Sequence, residues 1–300
     1  MAFNEKQLET WANQGATTTS ANTYNSIKTC IESHNWNDDV NFDIYLQGSY
    51  KNYTNIRGDS DVDVVVEFTS VFYSNKHTLP KEQLSEFDEY YSDGKYSLES
   101  VKQAIIKKLK EYYGDKYVEV GNKSIKVLAN NGRLDCDVVC CATYKEYNSF
   151  SRVKTDDYVK GIVFWTDKTN EKVVNFPIKH YDNGVTKNRN CDTNYKSTIR
   201  VIKNMKSRMV ENKRITNTLA PSYYIECLMF NIPDAYYKNT TYGKRIFSIL
   251  TKFRAYTDAE LEKFVCQNWQ RYLFGSSDQQ WNLNECKEFI NELIKFWDEG

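Results

Sequence analysis

The sequence predicts an α+β chain of two lobes, a mixed β-sheet lobe with flanking helices over residues 1–188 and a helical lobe over residues 189–300. Three observations predict it. Short β-branched runs such as "VDVVVEF" and "LDCDVVC" fill the first part. From about residue 191 the apolar residues recur at helical spacing instead. The pattern changes once, in "NGVTKNRNCD" near 185–192. A length of 300 residues fits one large domain or two modest ones sharing an interface.

Residues 4–12 and about 20–35 are expected as helices; in the second, Tyr24, Ile27, Cys30 and Ile31 recur on one face. "NFDIYLQGSY" alternates like a short strand ending at Gly48, and "VDVVVEF" (62–68) is a strongly β-branched strand. The polar stretch from about 70 to 96 is expected as an irregular insertion or lid loop. "SLESVKQAIIKKLKEYYG" is a helix that Ser97 can cap and Gly114 can stop. "YVEVG", "KSIKVLA" and "RLDCDVVCCATY" are three strands, with "NNG" turning between the last two. "GIVFWTDKTNEKVVNFPIKHY" suggests a further hairpin. Tyr195, Ile199, Ile202 and Met209 then share a helix face, and the segments beginning at Ser222, Tyr242, Asp258 and Asn282 continue as helices.

Composition narrows the function classes. Lys+Arg and Asp+Glu balance at 40 each, so net charge predicts no nucleic-acid partner. None of the eight cysteines forms a C-x-x-C pair or a zinc-spaced cluster, which favours reduced, mostly buried thiols in a cytoplasmic protein. The opening "MAFNEKQLETWANQ" is too polar for a signal peptide, and no apolar run approaches a membrane span.

Alternate side chains of a strand share a face, so Asp61 and Asp63 point the same way from the head of "VDVVVEF". Two carboxylates this close repel, and a divalent cation relieves the repulsion. Mg²⁺ is commonly held by one or two carboxylates plus substrate phosphates, the arrangement of two-metal phosphoryl transfer. A third carboxylate belongs on a neighbouring strand. "LDCDVVC" offers Asp135 and Asp137; Asp137 is preferred because the apolar run follows it directly, leaving Asp135 facing solvent or supporting the site. Upstream, Gly48 permits close backbone approach to a ligand, and backbone N–H groups there with the Ser49 hydroxyl can bind the phosphates of a triphosphate.

Gly48-Ser49, Asp61-Val-Asp63-Val and Cys136-Asp137-Val138 resemble the nucleotidyltransferase superfamily of DNA polymerase β type. Within it the chain is similar to the cGAS/DncV-like nucleotidyltransferases. That narrower likeness rests on "QGSYKNYTNIRGDSDVDVVV", "DVVCCATY", "NFPIKHYDNGVTKNRNCDTNYKSTIRVIKNMK" and "APSYYIECLMFNIP". Members often carry Pro shortly after the third Asp, where this chain has Cys140-Cys141.

The resemblance implies a bilobal enzyme with its active site between the lobes. It implies NTP substrates, two Mg²⁺ ions with Mn²⁺ able to substitute, no required nucleic-acid template and no membrane. The product is a cyclic di- or trinucleotide that activates a separate effector protein, in bacteria for anti-phage signalling. Asp61, Asp63 and Asp137 are then the catalytic metal ligands and Gly48 and Ser49 hold the triphosphate. Lys203 reaches the phosphates, Ser222 hydrogen-bonds one of them and Tyr223 stacks on a base. The zinc insertion of the animal DNA sensor is missing, so activation by double-stranded DNA is not implied.

The residues leave other readings open. Lys196, Arg200 and Lys203 share a helix face in a stretch from Lys179 to Arg214 holding ten Lys/Arg and three Asp/Glu, but a solvated face has the same pattern. Ser222 also suits a helix N-cap, Tyr223 a core position, and His180 a structural role. The acceptor could be an RNA end, a linear oligonucleotide, a small molecule or a protein, or the chain could bind nucleotides without catalysis.

Overall fold

The computed structural model describes residues 3–15, 17–58, 61–130, 132–153 and 157–300, which leaves Asn131 of the expected "NNG" turn outside the described residues. The elements follow in chain order. α1 (Glu5–Ala12) starts at Asn4, whose side chain accepts from the Gln7 N–H at 2.8 Å. α2 (Thr18–Glu32) buries Ile27, Cys30 and Ile31. β1 (Phe42–Leu46) leads into the short α3 (Gly48–Asn52). β2 (Val62–Asn75) precedes α4 (Lys81–Tyr90) and α5 (Leu98–Tyr113). Ser97 caps α5 and Gly114, at φ +93°, ends it, as the sequence suggests. Strands β3 (Val118–Val120), β4 (Ile125–Val127), β5 (Cys136–Ser149), β6 (Asp157–Trp165) and β7 (Lys172–Asn175) follow. Helices α6 (Pro177–Asn190), α7 (Asn194–Glu211), α8 (Ser222–Phe230), α9 (Tyr242–Ala255), α10 (Asp258–Leu261) and α11 (Leu283–Glu299) come next.

These elements gather into two compact units. One, drawn from residues 18–47 and 60–178, is built on a mixed sheet in the order β1-β2-β5-β4-β3. β6 pairs with the second half of β5, and β7 with β6. β2 and β5 run parallel and the other pairs are antiparallel. The parallel pair requires a long crossover, which α4, α5, β3 and β4 supply. α2 and α5 pack on one another and on the sheet, while Val64, Val66, Ile105, Leu109 and Val138 are buried.

The other unit is drawn from residues 1–17, 48–59 and 179–300. Its core takes Ile199, Ile202 and Met209 from α7, Ile249 from α9 and Phe289 from α11. Leu8 and Trp11 from α1 complete it. The helical unit therefore recruits the N-terminal helix and α3, two segments distant from it in sequence.

Three expectations are corrected. The stretch 70–96 is largely regular: after an irregularity between Phe68 and Phe72, β2 resumes against Thr143–Glu146, and α4 follows. Phe87 of α4 is buried with Leu79, Tyr147 and Phe150. The segment 185–190, expected as the changeover, is helical within α6. The apolar run after Asp258 is helical only to Leu261. There Gln267 and Asn268 are buried polar residues whose side chains bond backbone and side-chain groups of the helices around them, and Trp269 has φ +60°. β5 passes through Cys140-Cys141 without a break. All eight cysteines are free and buried. Among the described residues no helix is long and apolar enough to cross a membrane.

Candidate active site

In the sheet unit, Asp63 of β2 lies in register with Asp137 of β5 on the adjacent parallel strand. Strand alternation places Asp61 on the same side as Asp63, and the Val62 N–H donates to the Asp135 carbonyl at 2.8 Å, fixing the two strand starts together. Ser124 donates to Asp137 Oδ1 at 2.9 Å. Asp135 is engaged structurally, since its Oδ1 accepts from the Ala129 N–H at 2.6 Å and so braces the connection between β4 and β5.

Lys126 is a member of this group that the sequence does not single out. On β4 it stands in register with Asp137, and its Nζ lies 3.2 Å from Asp61 Oδ2 and 3.7 Å from Asp135 Oδ2. The hydrogen bond to Asp61 raises its pKa. The signal is present in "KSIKVLA", but it becomes informative only once the pairing of β4 with β5 is known.

Among the described residues no three His, Cys, Asp or Glu side chains stand close enough together to enclose a metal ion. Asp61, Asp63 and Asp137 nevertheless suit Mg²⁺, a hard cation that takes oxygen donors and fills its remaining positions with water and phosphate. Lys126 already places a positive charge at this carboxylate group.

In the helical unit, Gly48 opens α3 with φ +65°, a left-handed conformation that favours glycine. The preceding residue, Gln47 of the sheet unit, donates its N–H to the Asp63 carbonyl at 3.0 Å. After α3 the Thr54 N–H returns to the Ser49 carbonyl at 2.9 Å. Asn52 and Thr54 then point inward and donate to the buried carboxylate of Glu226, at 3.2 Å to Oε2 and 2.5 Å to Oε1.

Lys203 lies on the buried side of α7, 2% exposed, with its Nζ 3.0 Å from Glu226 Oε1. Its two companions on the basic face are also engaged. Arg200 donates to the carbonyls of Ala12 and Tyr53, and the Lys196 ammonium lies 5.2 Å from the centroids of both Tyr53 and Tyr181. Burial, assisted by Arg200 and Lys51, lowers the pKa of Lys196 against the pull of Glu226.

Ser222 is the first residue of α8 and does not cap it; Pro221 holds the cap position. Its hydroxyl is therefore not committed to the helix end. Tyr223 is 40% exposed. Its hydroxyl end is enclosed, with Asn268 donating to it at 3.4 Å, and burial raises its pKa. One ring face stacks on His180, centroids 5.3 Å apart at 27°. His180 presents Nε2 to Glu226 Oε2 at 3.1 Å. The helical unit thus brings the segments bearing Gly48, Ser49, Lys203, Ser222 and Tyr223 to one place, and Glu226, which sequence reasoning passes over, lies at its centre.

Comparison with known proteins points in one direction. Residues 182–298 match the cGAS/DncV-like nucleotidyltransferase C-terminal helical domain. Over the full length of both chains the sequence is 37% identical to the cyclic nucleotide synthase CdnE01 of Staphylococcus haemolyticus. Among solved structures, the Rhodothermus marinus CdnE c-UMP-AMP synthase with Apcpp and Upnpp superposes with a TM-score of 0.88 at 38% identity, covering 99% of this chain and 97% of that one. The Elizabethkingia meningoseptica CdnE cyclic dinucleotide synthase with GTP and Apcpp gives a TM-score of 0.75 at 26% identity, over 99% and 98% of the two chains.

Proposed function

The chain belongs to the cGAS/DncV-like nucleotidyltransferases and is an enzyme of cyclic-oligonucleotide synthesis, and from that premise we propose how its own residues perform the reaction. The enzyme joins NTPs without a template into a cyclic di- or trinucleotide, releasing pyrophosphate at each new bond. The observation that carries this reading is the register of Asp63 with Asp137, with Lys126, opposite Asp137, reaching Asp61 beside them. Asp61, Asp63 and Asp137 would hold the two Mg²⁺ ions, or Mn²⁺ in their place. When bound, such ions supply neutralisation of the triphosphate and a lowered pKa for the attacking ribose hydroxyl.

The remaining residues bind and orient. Gly48 lets the backbone approach the triphosphate, and the Ser49 N–H and hydroxyl donate to it. Ser222 donates a further hydrogen bond. Lys203, buried and paired with Glu226, holds the helix turn that presents Ser222 to the phosphates, since Ser222 and Glu226 lie on one face of α8. The exposed ring of Tyr223 stacks on a base. The hydroxyl oxygen attacks the α-phosphorus, a P–O bond to pyrophosphate breaks, and the same residues serve again when the linear dinucleotide closes. The product acts on a separate effector protein in anti-phage signalling. The buried free thiols favour a reducing, cytoplasmic setting.

The test is incubation of the pure protein with all four NTPs and Mg²⁺ or Mn²⁺, with no nucleic acid, followed by phosphatase and mass spectrometry. ATP with UTP is the first pair to examine, because the Rhodothermus relative is a cyclic UMP-AMP synthase. A phosphatase-resistant species at the mass of a cyclic di- or trinucleotide is expected. Only linear products, or transfer to an added acceptor alone, would overturn the cyclisation step.

A further inference from the structure

Glu226 is 3% exposed and belongs to none of the groups assigned to the reaction. Its two carboxylate oxygens are both used twice. Oε1 accepts from Lys203 Nζ at 3.0 Å and Thr54 Oγ1 at 2.5 Å, and Oε2 from Asn52 Nδ2 at 3.2 Å and His180 Nε2 at 3.1 Å. The donors come from three separate segments: the end of α3 and the residues after it, α6, and α7. Glu226 itself sits one turn below Ser222 on α8. Its backbone carbonyl is also held, accepting from the Tyr195 hydroxyl at 3.1 Å.

A buried carboxylate ordinarily needs one cation and a few hydrogen bonds. Here the four donors fix three different parts of the nucleotide-holding apparatus. Asn52 and Thr54 fix the segment that begins at Gly48-Ser49. Lys203 is fixed directly. His180 is the platform beneath Tyr223, and its other nitrogen, Nδ1, is buried with no hydrogen-bond partner among the described residues, so the bond to Glu226 is what sets the ring's orientation. His180 is further anchored by Gln267, whose Nε2 donates to its carbonyl at 2.7 Å.

We propose that Glu226 is the positioning residue that sets Gly48-Ser49, Lys203 and the Tyr223 platform in the arrangement that receives the NTP. This rests on the roles given to those residues above. A glutamine at 226 keeps the shape but removes the anion that Lys203 pairs with, and its amide N–H groups can bond Asn52 and His180 only if Asn52 turns its amide over and His180 changes tautomer, so the four contacts can no longer form as they stand.

The experiment pairs hydrogen exchange of the full-length protein with calorimetric binding of Apcpp in Mg²⁺. In Glu226→Gln the amides of residues 48–54 are expected to exchange about tenfold faster, and Apcpp to bind about tenfold more weakly, as the loss of hydrogen bonds to a charged group implies. Exchange in α11 is expected to stay as in the wild type. Should Glu226→Gln not fold, Asn52→Ala with Thr54→Val cuts two of the contacts and leaves Lys203 and His180 paired; the same two changes are then expected, smaller in size. Unchanged Apcpp affinity in a folded variant, whether or not residues 48–54 loosen, reduces Glu226 to a structural anchor and overturns the proposal. Failure of the wild type to bind any NTP analogue instead removes the nucleotide reading on which it rests.

Discussion

A lysine and a glutamate buried together are costly to desolvate, and Lys203 and Glu226 persist because hydrogen bonds occupy the carboxylate on both oxygens. Burial by itself raises the Glu226 pKa, but Lys203, His180 and Thr54 outweigh it and hold the group well below the usual carboxylate range. Because the folded value is depressed, this stabilisation is complete above the ordinary value of 4.5 and is lost as pH falls from there towards the folded value. Thermal unfolding followed across the acid range should therefore show the wild type losing stability more steeply than Glu226→Gln below about pH 4.5. Lys203→Met leaves the charge without its cation and should destabilise the helical unit by about 3–5 kcal/mol in a urea titration. The carboxylates proposed to hold metal behave differently. Asp61 is partly exposed and its pair with Lys126 is a surface pair, worth about 0–1 kcal/mol. Asp61→Asn with Asp63→Asn should abolish product while the melting temperature moves by no more than about 2 °C. The shared face of Asp61 and Asp63 was legible in the chain because strand alternation is local, whereas the register that sets Asp137 beside Asp63 is not. Glu226 was not, since its partners Asn52 and Thr54 lie more than a hundred residues away.

At the scale of elements, capping and periodicity were sufficient where a segment carries its own signals. α5 has Ser97 before it and Gly114 after it, and both act as their residue types suggest. The helix faces of α7 and α11 likewise match their apolar spacing. Gly48 is the element whose backbone can be tested: with φ +65° at the start of α3, Gly48→Ala should cost about 1–2 kcal/mol. It should also weaken Apcpp binding, measured by calorimetry, because in the proposed site the added methyl would stand where the backbone comes close to phosphate. The failures are equally physical. The polar, tyrosine-rich stretch after Phe68 becomes strand and helix only because Tyr147 and Phe150, from β5 and its end, complete its apolar cluster. The run after Leu261 has helical apolar spacing, yet Asn231, His180 and Tyr223 bind its backbone and polar side chains in a non-helical path.

For the whole molecule, the informative feature is that the helical unit is not continuous in sequence. Leu8 is fully buried and belongs to the core that α7 and α9 build. Leu8→Ala should therefore cost about 2–5 kcal/mol, and the amides of α7 and α9 should lose protection from hydrogen exchange while β2 and β5 keep theirs. Equal loss in both units would contradict the division. The sequence by itself determined the α+β class, the candidate carboxylates, the Gly-Ser segment and the family likeness, because each depends on short-range spacing or on motifs a few residues long. Only the tertiary structure decided that α1 and α3 belong with the C-terminal helices, that Lys126 faces Asp61, and that one buried carboxylate gathers donors from three segments. Those contacts depend on strand register and on burial, neither of which is written at any single position in the chain.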